Sequence, residues 1–207
     1  MKLERLIVGP VSTNCYLIQN ESTKEVIIVD PGDQAARIRN KIEDMGGYPA
    51  AILLTHGHFD HILGIADLEK RYNHIDIYAL EEERDLLADA DLNCSEQLGR
   101  SCTVEPDHWL RDGQQITLAG MLVQVIATPG HTIGSCCYYL PKEKALFSGD
   151  TLFAESVGRT DLPTGSMSQL GRSIKKLFDA LPGETDVYPG HEYATSIEHE
   201  MRYNPFA

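Results

Sequence analysis

The sequence lacks the features that mark several large classes of proteins. Its five cysteines are odd in number and form no Cys-x-x-Cys pair, a pattern typical of free thiols rather than of a disulfide framework. Apolar runs reach about five residues, far below the ~18 that a membrane-spanning helix needs. The first ten residues hold only the apolar run Leu6-Ile7-Val8, which is too short for a signal peptide. We therefore expect a cytoplasmic protein with no membrane partner.

Basic residues are also scarce. There are 18 Lys and Arg against 31 Asp and Glu, so the formal charge is −13. Because nucleic-acid phosphates would be repelled by this charge, no nucleic-acid partner is expected. The motif Gly-x-Ser-x-Gly is absent as well, so nothing indicates a serine nucleophile. With 207 residues, 42% of them hydrophobic, and no repeat or linker, residues 1–207 are predicted to form one domain.

Apolar stretches of strand length alternate with helical patterns along the chain. Strands are predicted at 3–8, 15–19, 25–29, 51–54, 75–78, 115–118, 121–127, 136–140, 144–148 and 185–188. Helices are predicted at 34–45, from 62 onward, and at 80–88, 168–180 and 193–202. Residues 90–114 show no clear periodicity. Strands mixed with helices predict either two sheets or one large sheet covered by helices.

The densest chemical signal is the segment Thr55-His56-Gly57-His58-Phe59-Asp60-His61, which holds three of the eight histidines. It lies between the apolar strand 51–54 and the helix that follows, so it is a strand-to-helix turn. In an extended stretch, side chains two residues apart point the same way, so His56 and His58 can reach one cation. Asp60 and His61 can reach a neighbouring point. Imidazole and carboxylate are the ligands expected for zinc or iron at an open site.

Three later strands each run into a glycine followed by a side chain that can bind a metal. These side chains are His131, Asp150 and His191. A loop at the end of a strand presents its side chain from a rigid scaffold, and glycine permits the tight turn. The other three histidines lack this context and are interpreted as surface or structural residues: His74, His108 and His199. Asp30 ends the strand 26–29, where it is either a partner of a ligand histidine or the first residue of a turn.

The intact motif His-x-His-x-Asp-His at 56–61, with His131, Asp150 and His191 following in order, resembles the metallo-β-lactamase superfamily. The resemblance covers essentially the whole chain. It implies an α/β fold, a four-layer αβ/βα sandwich of two mixed β-sheets flanked by helices. It also implies two divalent metal ions, with the ligand sets His56, His58, His131 and Asp60, His61, His191, and with Asp150 bridging. Zinc is the expected metal, and iron or manganese are alternatives.

Within the superfamily, the chain is similar to the glyoxalase II (hydroxyacylglutathione hydrolase) group and to its compact bacterial members. The matching segments are 128–132, 148–153, 158–163, 190–193 and 203–206. The similarity implies a small-molecule thioester substrate such as S-D-lactoylglutathione. It also implies substrate contacts from Arg159, which replaces a family lysine, and from Tyr193. Asp161 stands where the family has a tyrosine, and no basic extension follows His191, so we expect tolerance of other thiol carriers.

Three functions are compatible with these residues. The favoured one is a two-metal hydrolase in which a metal-bridging hydroxide attacks the thioester carbonyl and Asp60 is both a ligand and the acceptor that orients the hydroxide. The second is a mononuclear iron persulfide dioxygenase that uses His56, His131 and Asp150 as ligands. The ending Gly-His-Glu-Tyr at 190–193 disfavours it. The third, a non-catalytic metal-binding protein, is disfavoured because the ligand set is complete. The oligomeric state is not predicted.

Overall fold

Two central strands are buried on both faces, and this determines the layering of the fold. In the computed structural model, which describes residues 1–207, strand β2 (Thr13–Gln19) is buried at every position. Strand β3 (Glu25–Val29) is buried everywhere except at Glu25. Because successive side chains of a strand point to opposite faces, a strand of this kind needs a covering layer on each side.

The first sheet contains six strands in the order of the chain. They are β1 (Lys2–Val8), β2, β3, β4 (Tyr48–Leu53), β5 (Ile77–Leu80) and β6 (His108–Leu110). The pairs β1–β2 and β2–β3 are antiparallel, whereas β3 through β6 pair in parallel. The sheet is therefore mixed.

The second sheet also contains six strands, in the order β14-β13-β10-β9-β8-β7. These are β7 (Gln115–Leu118), β8 (Met121–Ala127), β9 (Cys136–Leu140), β10 (Ala145–Gly149), β13 (Asp186–Pro189) and β14 (Thr195–Ser196). Only β10 and β13 pair in parallel. A separate hairpin joins β11 (Leu152–Phe153) to β12 (Ser156–Val157).

Helices cover the outer face of each sheet. The helices are α1 (Ala35–Asp44), α2 (Phe59–Ile62), α3 (Ile65–Tyr72), α4 (Arg84–Leu87), α5 (Met167–Ala180) and α6 (Ile197–Tyr203). Ile38 of α1 and Leu68 of α3 pack in a core with the first sheet. Ile174 of α5 and Ile197 of α6 pack in a core with the second sheet. No helix has the length and apolar character needed to cross a membrane.

A third core lies between the sheets and contains apolar side chains from both. Ile27 and Leu53 of the first sheet share it with Val125, Tyr138 and Phe147 of the second. Neighbouring residues of one strand point into different cores. Ile27 points into the core between the sheets, and Ile28 points into the core beneath α1 and α3. Three cores require four layers, so the predicted αβ/βα sandwich of two mixed sheets is confirmed.

Several predicted elements differ from the structure in extent, among them the strand predicted at 75–78, since β5 spans Ile77–Leu80. The helix predicted at 80–88 is wrong in extent, because Leu80 belongs to β5, residues 81–83 form a 3₁₀ turn, and α4 is a single turn. The C-terminal helix begins at Ile197 rather than at 193, since the Ser196 side chain accepts a hydrogen bond from His199 N and caps it. The helix expected from 62 onward begins only at Ile65, as α3, because α2 ends at Ile62 and Gly64 N donates to Pro31 O between them. The unassigned residues 90–114 contain β6 and a second 3₁₀ turn.

Candidate metal centre

The predicted ligand residues follow the ends of four strands, on loops except for Asp60 and His61, which lie on the short helix α2. The histidine motif follows β4, whereas His131, Asp150 and His191 follow β8, β10 and β13. Strands β3 and β4 pair in parallel in one sheet, as do β10 and β13 in the other. The structure therefore brings residues from both sheets together at one edge of the sandwich.

The first ligand group consists of His56, His58 and His131. All three are buried, and one nitrogen of each lies within 4.8 Å of the others. His58 Nδ1 is 2.9 Å from His131 Nε2. The ring of His56 lies almost perpendicular to those of His58 and His131, with centroids 4.9 and 4.7 Å away. Three imidazoles that converge in this way form a nitrogen cradle for one ion.

The second group consists of Asp60, His61 and His191. Asp60 Oδ2 is 3.4 Å from His61 Nε2 and 3.2 Å from His191 Nε2. Ligands about 2.1 Å from a shared tetrahedral ion are about 3.4 Å apart, so these separations suit one ion. His191 is the most exposed of the ligand residues, with 22% of its side-chain surface accessible. The centre therefore opens on the side of His191.

Asp150 lies between the two groups. Its Oδ2 atom is 3.6 Å from His131 Nε2 of the first group and 3.5 Å from His191 Nε2 of the second. Its Oδ1 atom is 3.5 Å from His61 Nε2. A carboxylate in this position can contact ions in both groups, as expected for a bridging ligand.

Several atoms at the centre fit a bound cation. The atoms His56 Nε2, His61 Nε2 and Asp150 Oδ1 are buried and have no hydrogen-bond partner in the protein. Buried polar atoms are normally paired, and these are the donor types that zinc and iron prefer. The residues present therefore fit a pair of divalent metal ions, although they do not select the element.

Electrostatics at the centre also favours cations. Burial, together with the neighbouring imidazoles, lowers the pKa of His58 to about 3 and that of His56 well below its ordinary value. Burial alone would raise the pKa of Asp150, but His61 and His191 outweigh it and lower that pKa to about 2. At neutral pH His56 and His58 are neutral and Asp150 is charged, the forms that bind metal. Burial alone would lower the pKa of His191, but the carboxylates of Asp150 and Asp60 raise it to about 9, so an ion that binds there displaces a proton.

The outward-facing nitrogen of three histidines is held by a partner. His61 Nδ1 is 2.9 Å from Asp30 Oδ2, and His131 Nδ1 is 2.7 Å from the Arg159 carbonyl oxygen. His56 Nδ1 is 3.2 Å from Thr55 Oγ1. Such partners fix the tautomer, so that Nε2 presents its lone pair to the centre.

Asp30 supports two of these histidines at once. Its carboxylate accepts hydrogen bonds from Thr55 N and Thr55 Oγ1, at 2.8 and 2.7 Å, in addition to its contact with His61. Of the two roles left open by the sequence, the structure shows the partner of a ligand histidine. Asp30 is buried with a φ of 50°, a left-handed conformation that aspartate tolerates better than most residues.

Gly190 is required by the close approach of β13 to the centre. A Cβ atom at this position would collide with Asp150 Oδ1 and lie 2.8 Å from His61 Cε1. Any other residue would therefore displace Asp150 and His61.

Sequence reasoning missed Thr13, which holds Asp60 in place. Thr13 Oγ1 donates a 2.7 Å hydrogen bond to Asp60 Oδ2, and both side chains are buried. The neighbouring Asn14 donates to the carbonyl oxygens of Pro189 and Glu192 on either side of His191. The available signal was two polar residues at the start of a strand whose middle is apolar, but their partners are far away in the chain.

A sequence model of the metallo-beta-lactamase superfamily matches residues 8–191. The chain belongs to this superfamily.

Two curated relatives match this superfamily member over its whole length. One is the Bacillus subtilis protein named probable metallo-hydrolase YqgX, which is 36% identical over 100% of this chain and 97% of its own. The other is the Haemophilus influenzae hydroxyacylglutathione hydrolase GloC, which is 32% identical over 100% of this chain and 98% of its own.

Two solved structures of superfamily proteins are also similar over nearly the whole chain. The B3 metallo-beta-lactamase BLEG-1 has a TM-score of 0.92 and is 41% identical, with 99% of both chains covered. TTHA1623, solved in a di-iron-bound form, has a TM-score of 0.88 and is 34% identical, with 99% of this chain and 100% of that chain covered. The fold is therefore shared with proteins that differ in the activity or metal in their names.

The two predicted substrate contacts lie outside the ligand groups. The Arg159 side chain is exposed and makes a two-pronged ion pair with Asp161, from Nε to Oδ1 at 2.6 Å and from Nη2 to Oδ2 at 2.7 Å. The Tyr193 side chain is exposed and borders a cavity of about 430 Å³ beside His191. Arg5, Val11 and Ser12 also line this cavity.

The three remaining histidines lie away from the superfamily ligands. His74 and His108 are exposed and contact Asp76, with Nε2 to carboxylate distances of 3.1 and 3.3 Å. His199 lies on α6 beside Glu155. The structure places all three on the surface, as the sequence indicated.

Proposed function

We propose that this protein is a two-metal hydrolase that cleaves small thioesters such as S-D-lactoylglutathione. The hydroxyacylglutathione hydrolase GloC, similar over the whole chain, supports the choice of substrate class. The observation that carries the two-metal assignment is the position of Asp150 between two complete ligand groups. His56, His58 and His131 would hold one ion, and Asp60, His61 and His191 the other.

Two bound divalent ions would lower the pKa of water toward ~7 and stabilise the negative charge that develops on the carbonyl oxygen. The chain's own part is to orient the reacting water. Thr13 fixes Asp60 through Oδ2, and no hydrogen bond within the protein uses Asp60 Oδ1. That second oxygen is free to accept a hydrogen bond from the water. This hydrogen bond would direct a lone pair of the water oxygen at the substrate. Asp60 is therefore our proposed catalytic residue.

A thioester places little demand on an acid catalyst. The leaving thiolate has an ordinary pKa near ~8.5, so it departs without being protonated by the protein. This agrees with a centre whose accessible side holds His191 and the exposed Tyr193 but no buried acid apart from the ligands.

The cavity beside His191 is the proposed place for the thiol carrier. Its volume of about 430 Å³ is within the range typical of small-molecule sites. Tyr193 and Val11 offer apolar surface there, and Arg5 offers a cation that takes part in no ion pair with a carboxylate. Arg159 remains a proposed contact, but its charge is offset by Asp161. Arg5 is therefore the unpaired cation available to a thiol carrier that bears a carboxylate.

The test combines metal analysis with steady-state kinetics. Protein purified without chelator should contain about two metal ions per chain and hydrolyse S-D-lactoylglutathione faster than it hydrolyses the β-lactam nitrocefin. Asp60→Asn preserves shape but removes charge, so the hydrolysis rate should fall by a larger factor than the metal content does. Asp67→Asn, a change on the exposed face of α3, is the matched control and should retain both.

Three results would contradict the proposal. Nitrocefin cleavage without thioester cleavage would place the protein with the β-lactamases. One iron per chain at saturation, together with oxygen consumption on a persulfide, would favour the dioxygenase. A strictly proportional loss of rate and metal in Asp60→Asn would remove the orienting role of that carboxylate.

A further inference from the structure

Glu83 is a buried carboxylate that none of the ligand groups uses. Only 1% of its surface is exposed, and no Lys, Arg or His forms an ion pair with it. Placing an unpaired charge in the interior is costly unless hydrogen bonds compensate. The contacts of Glu83 therefore identify what its charge stabilises.

Both oxygens of Glu83 are directed at loops that carry first-group ligands. Oε1 accepts a 2.8 Å hydrogen bond from Gly57 N, the backbone amide between His56 and His58. Oε2 accepts hydrogen bonds from Gly134 N at 2.8 Å and from Thr132 Oγ1 at 3.0 Å, in the loop that carries His131.

The two loops come from different sheets. The first follows β4 of one sheet, and the second joins β8 to β9 of the other. The segment that contains Glu83 also packs on the first loop, because a Cβ atom at Gly57 would lie 2.8 Å from the side chains of Leu86 and Leu87. One carboxylate thus joins the backbones on either side of the three-histidine cradle.

Two of the three donors are backbone amides, Gly57 N and Gly134 N, and each needs an acceptor oxygen, which a carboxylate supplies. A glutamine side chain has one oxygen and one NH₂ group. If the oxygen faced Gly57 N, the NH₂ group would face Gly134 N, which is also a donor. The reverse orientation would leave Gly57 N without an acceptor. Glutamine can therefore accept from one of the two backbone amides but not from both.

We infer that Glu83 is a positioning residue that clamps the loops of His56, His58 and His131 at the separation that the first metal ion requires. This rests on the two-metal centre of the proposed function but not on the thioester substrate. The second group, Asp60, His61 and His191, makes no hydrogen bond with Glu83, so the clamp acts on one ion of the pair.

The test is a Co²⁺ titration of Glu83→Gln, followed by the visible absorption of the bound ion and by competition with a chelator. Metal-ligand supports of this kind contribute about 10–100-fold in affinity. We expect one Co²⁺ to bind with wild-type affinity and the other to bind about 10–100-fold more weakly, with an altered spectrum. Glu82→Gln, an exposed neighbour with the same chemical change, is the matched control and should bind both ions normally.

A second pair of variants keeps the inference testable if Glu83→Gln does not fold. Thr132→Val removes one donor to Glu83 without changing the volume, and should weaken the same ion by a smaller factor. Thr132→Ser keeps the hydroxyl, so its affinity for this ion should stay close to that of the wild type.

Two results would overturn the role of Glu83. One is wild-type affinity for both Co²⁺ ions in Glu83→Gln. The other is equal weakening of both ions with a lower melting temperature of the metal-free protein, which would make Glu83 a general stabilising residue. Neither readout involves the substrate, so a failed thioester assay leaves this inference standing.

Discussion

Asp30→Asn tests most directly whether residues outside the ligand set hold the metal centre together. The change keeps the shape of the side chain but turns one acceptor oxygen into an NH₂ group. The remaining oxygen can accept from Thr55 N, as Asp30 Oδ1 does. The NH₂ group then faces both His61 Nδ1 and Thr55 Oγ1, which Asp30 Oδ2 contacts at 2.9 and 2.7 Å. The donors His61 Nδ1 and Thr55 Oγ1 therefore lose the oxygen that accepts their hydrogen bonds.

The magnitude follows from the number and kind of bonds removed. The hydrogen bond from His61 to a charged carboxylate is worth about 1.5–3 kcal/mol, and each 1.36 kcal/mol corresponds to about tenfold in an equilibrium constant. Because His61 is a proposed ligand of the second ion and Thr55 contacts His56, a proposed ligand of the first, both metal affinities should fall. We expect a loss of about 10–100-fold for the ion at His61 and a smaller one for the other.

The assay is competition between the protein and a chelator of known affinity for Zn²⁺, with thermal unfolding of the metal-free protein recorded in parallel. Asp44→Asn is the matched control, since Asp44 is exposed at the end of α1 and makes no hydrogen bond or ion pair. Wild-type affinity for both ions in Asp30→Asn would refute the argument. A fall in metal-free stability with unchanged affinity would show that Asp30 serves only the β3–β4 connection.

The remaining predictions concern Asp150, Thr13, the ion pair of Arg159 with Asp161, and the cysteines. Asp150→Ala should lose metal occupancy as well as rate, and full occupancy by elemental analysis with full activity would remove it from the centre. Thr13→Val should lower kcat about tenfold while metal content stays near two per chain, because it removes one hydrogen bond of about 1.5 kcal/mol to a charged group; an unchanged kcat would contradict this. Arg159→Ala should raise KM more than it lowers kcat, since the variant keeps the Arg159 carbonyl oxygen that holds His131. Asp161→Ala should lower KM for anionic thioesters, because it frees the Arg159 guanidinium from its ion pair. Equal KM values in the two variants would rule out a substrate contact from Arg159. Native protein should react with a thiol reagent first at Cys102, because it is the only cysteine that is not buried. Early labelling of a second thiol would contradict this.

Much of the metal centre could be predicted from the sequence because its signals are local. His56 and His58 are two residues apart after an apolar strand, and Asp60 and His61 follow within three residues. This spacing alone places four candidate ligands at one strand end. Each later ligand also follows an apolar strand and a glycine, and the order of strands and helices predicted two sheets or one large sheet covered by helices. These inferences depend on the periodicity of the backbone and need no knowledge of distant contacts. The four-layer arrangement itself was implied only by the resemblance to the superfamily.

Apart from Asp30, which the sequence already offered as a partner of a ligand histidine, only the tertiary structure revealed the residues that hold these ligands. Thr13 reaches Asp60 across 47 positions of sequence, and Glu83 joins loops from two sheets. The helix predicted at 80–88 is a 3₁₀ turn followed by one α-turn, with the Glu83 side chain directed inward. Local periodicity cannot report such a feature, because a buried hydrogen bond depends on where two distant segments meet. Sequence spacing places a ligand on its own strand, whereas the separation of ligands on different strands is determined by how the two sheets pack.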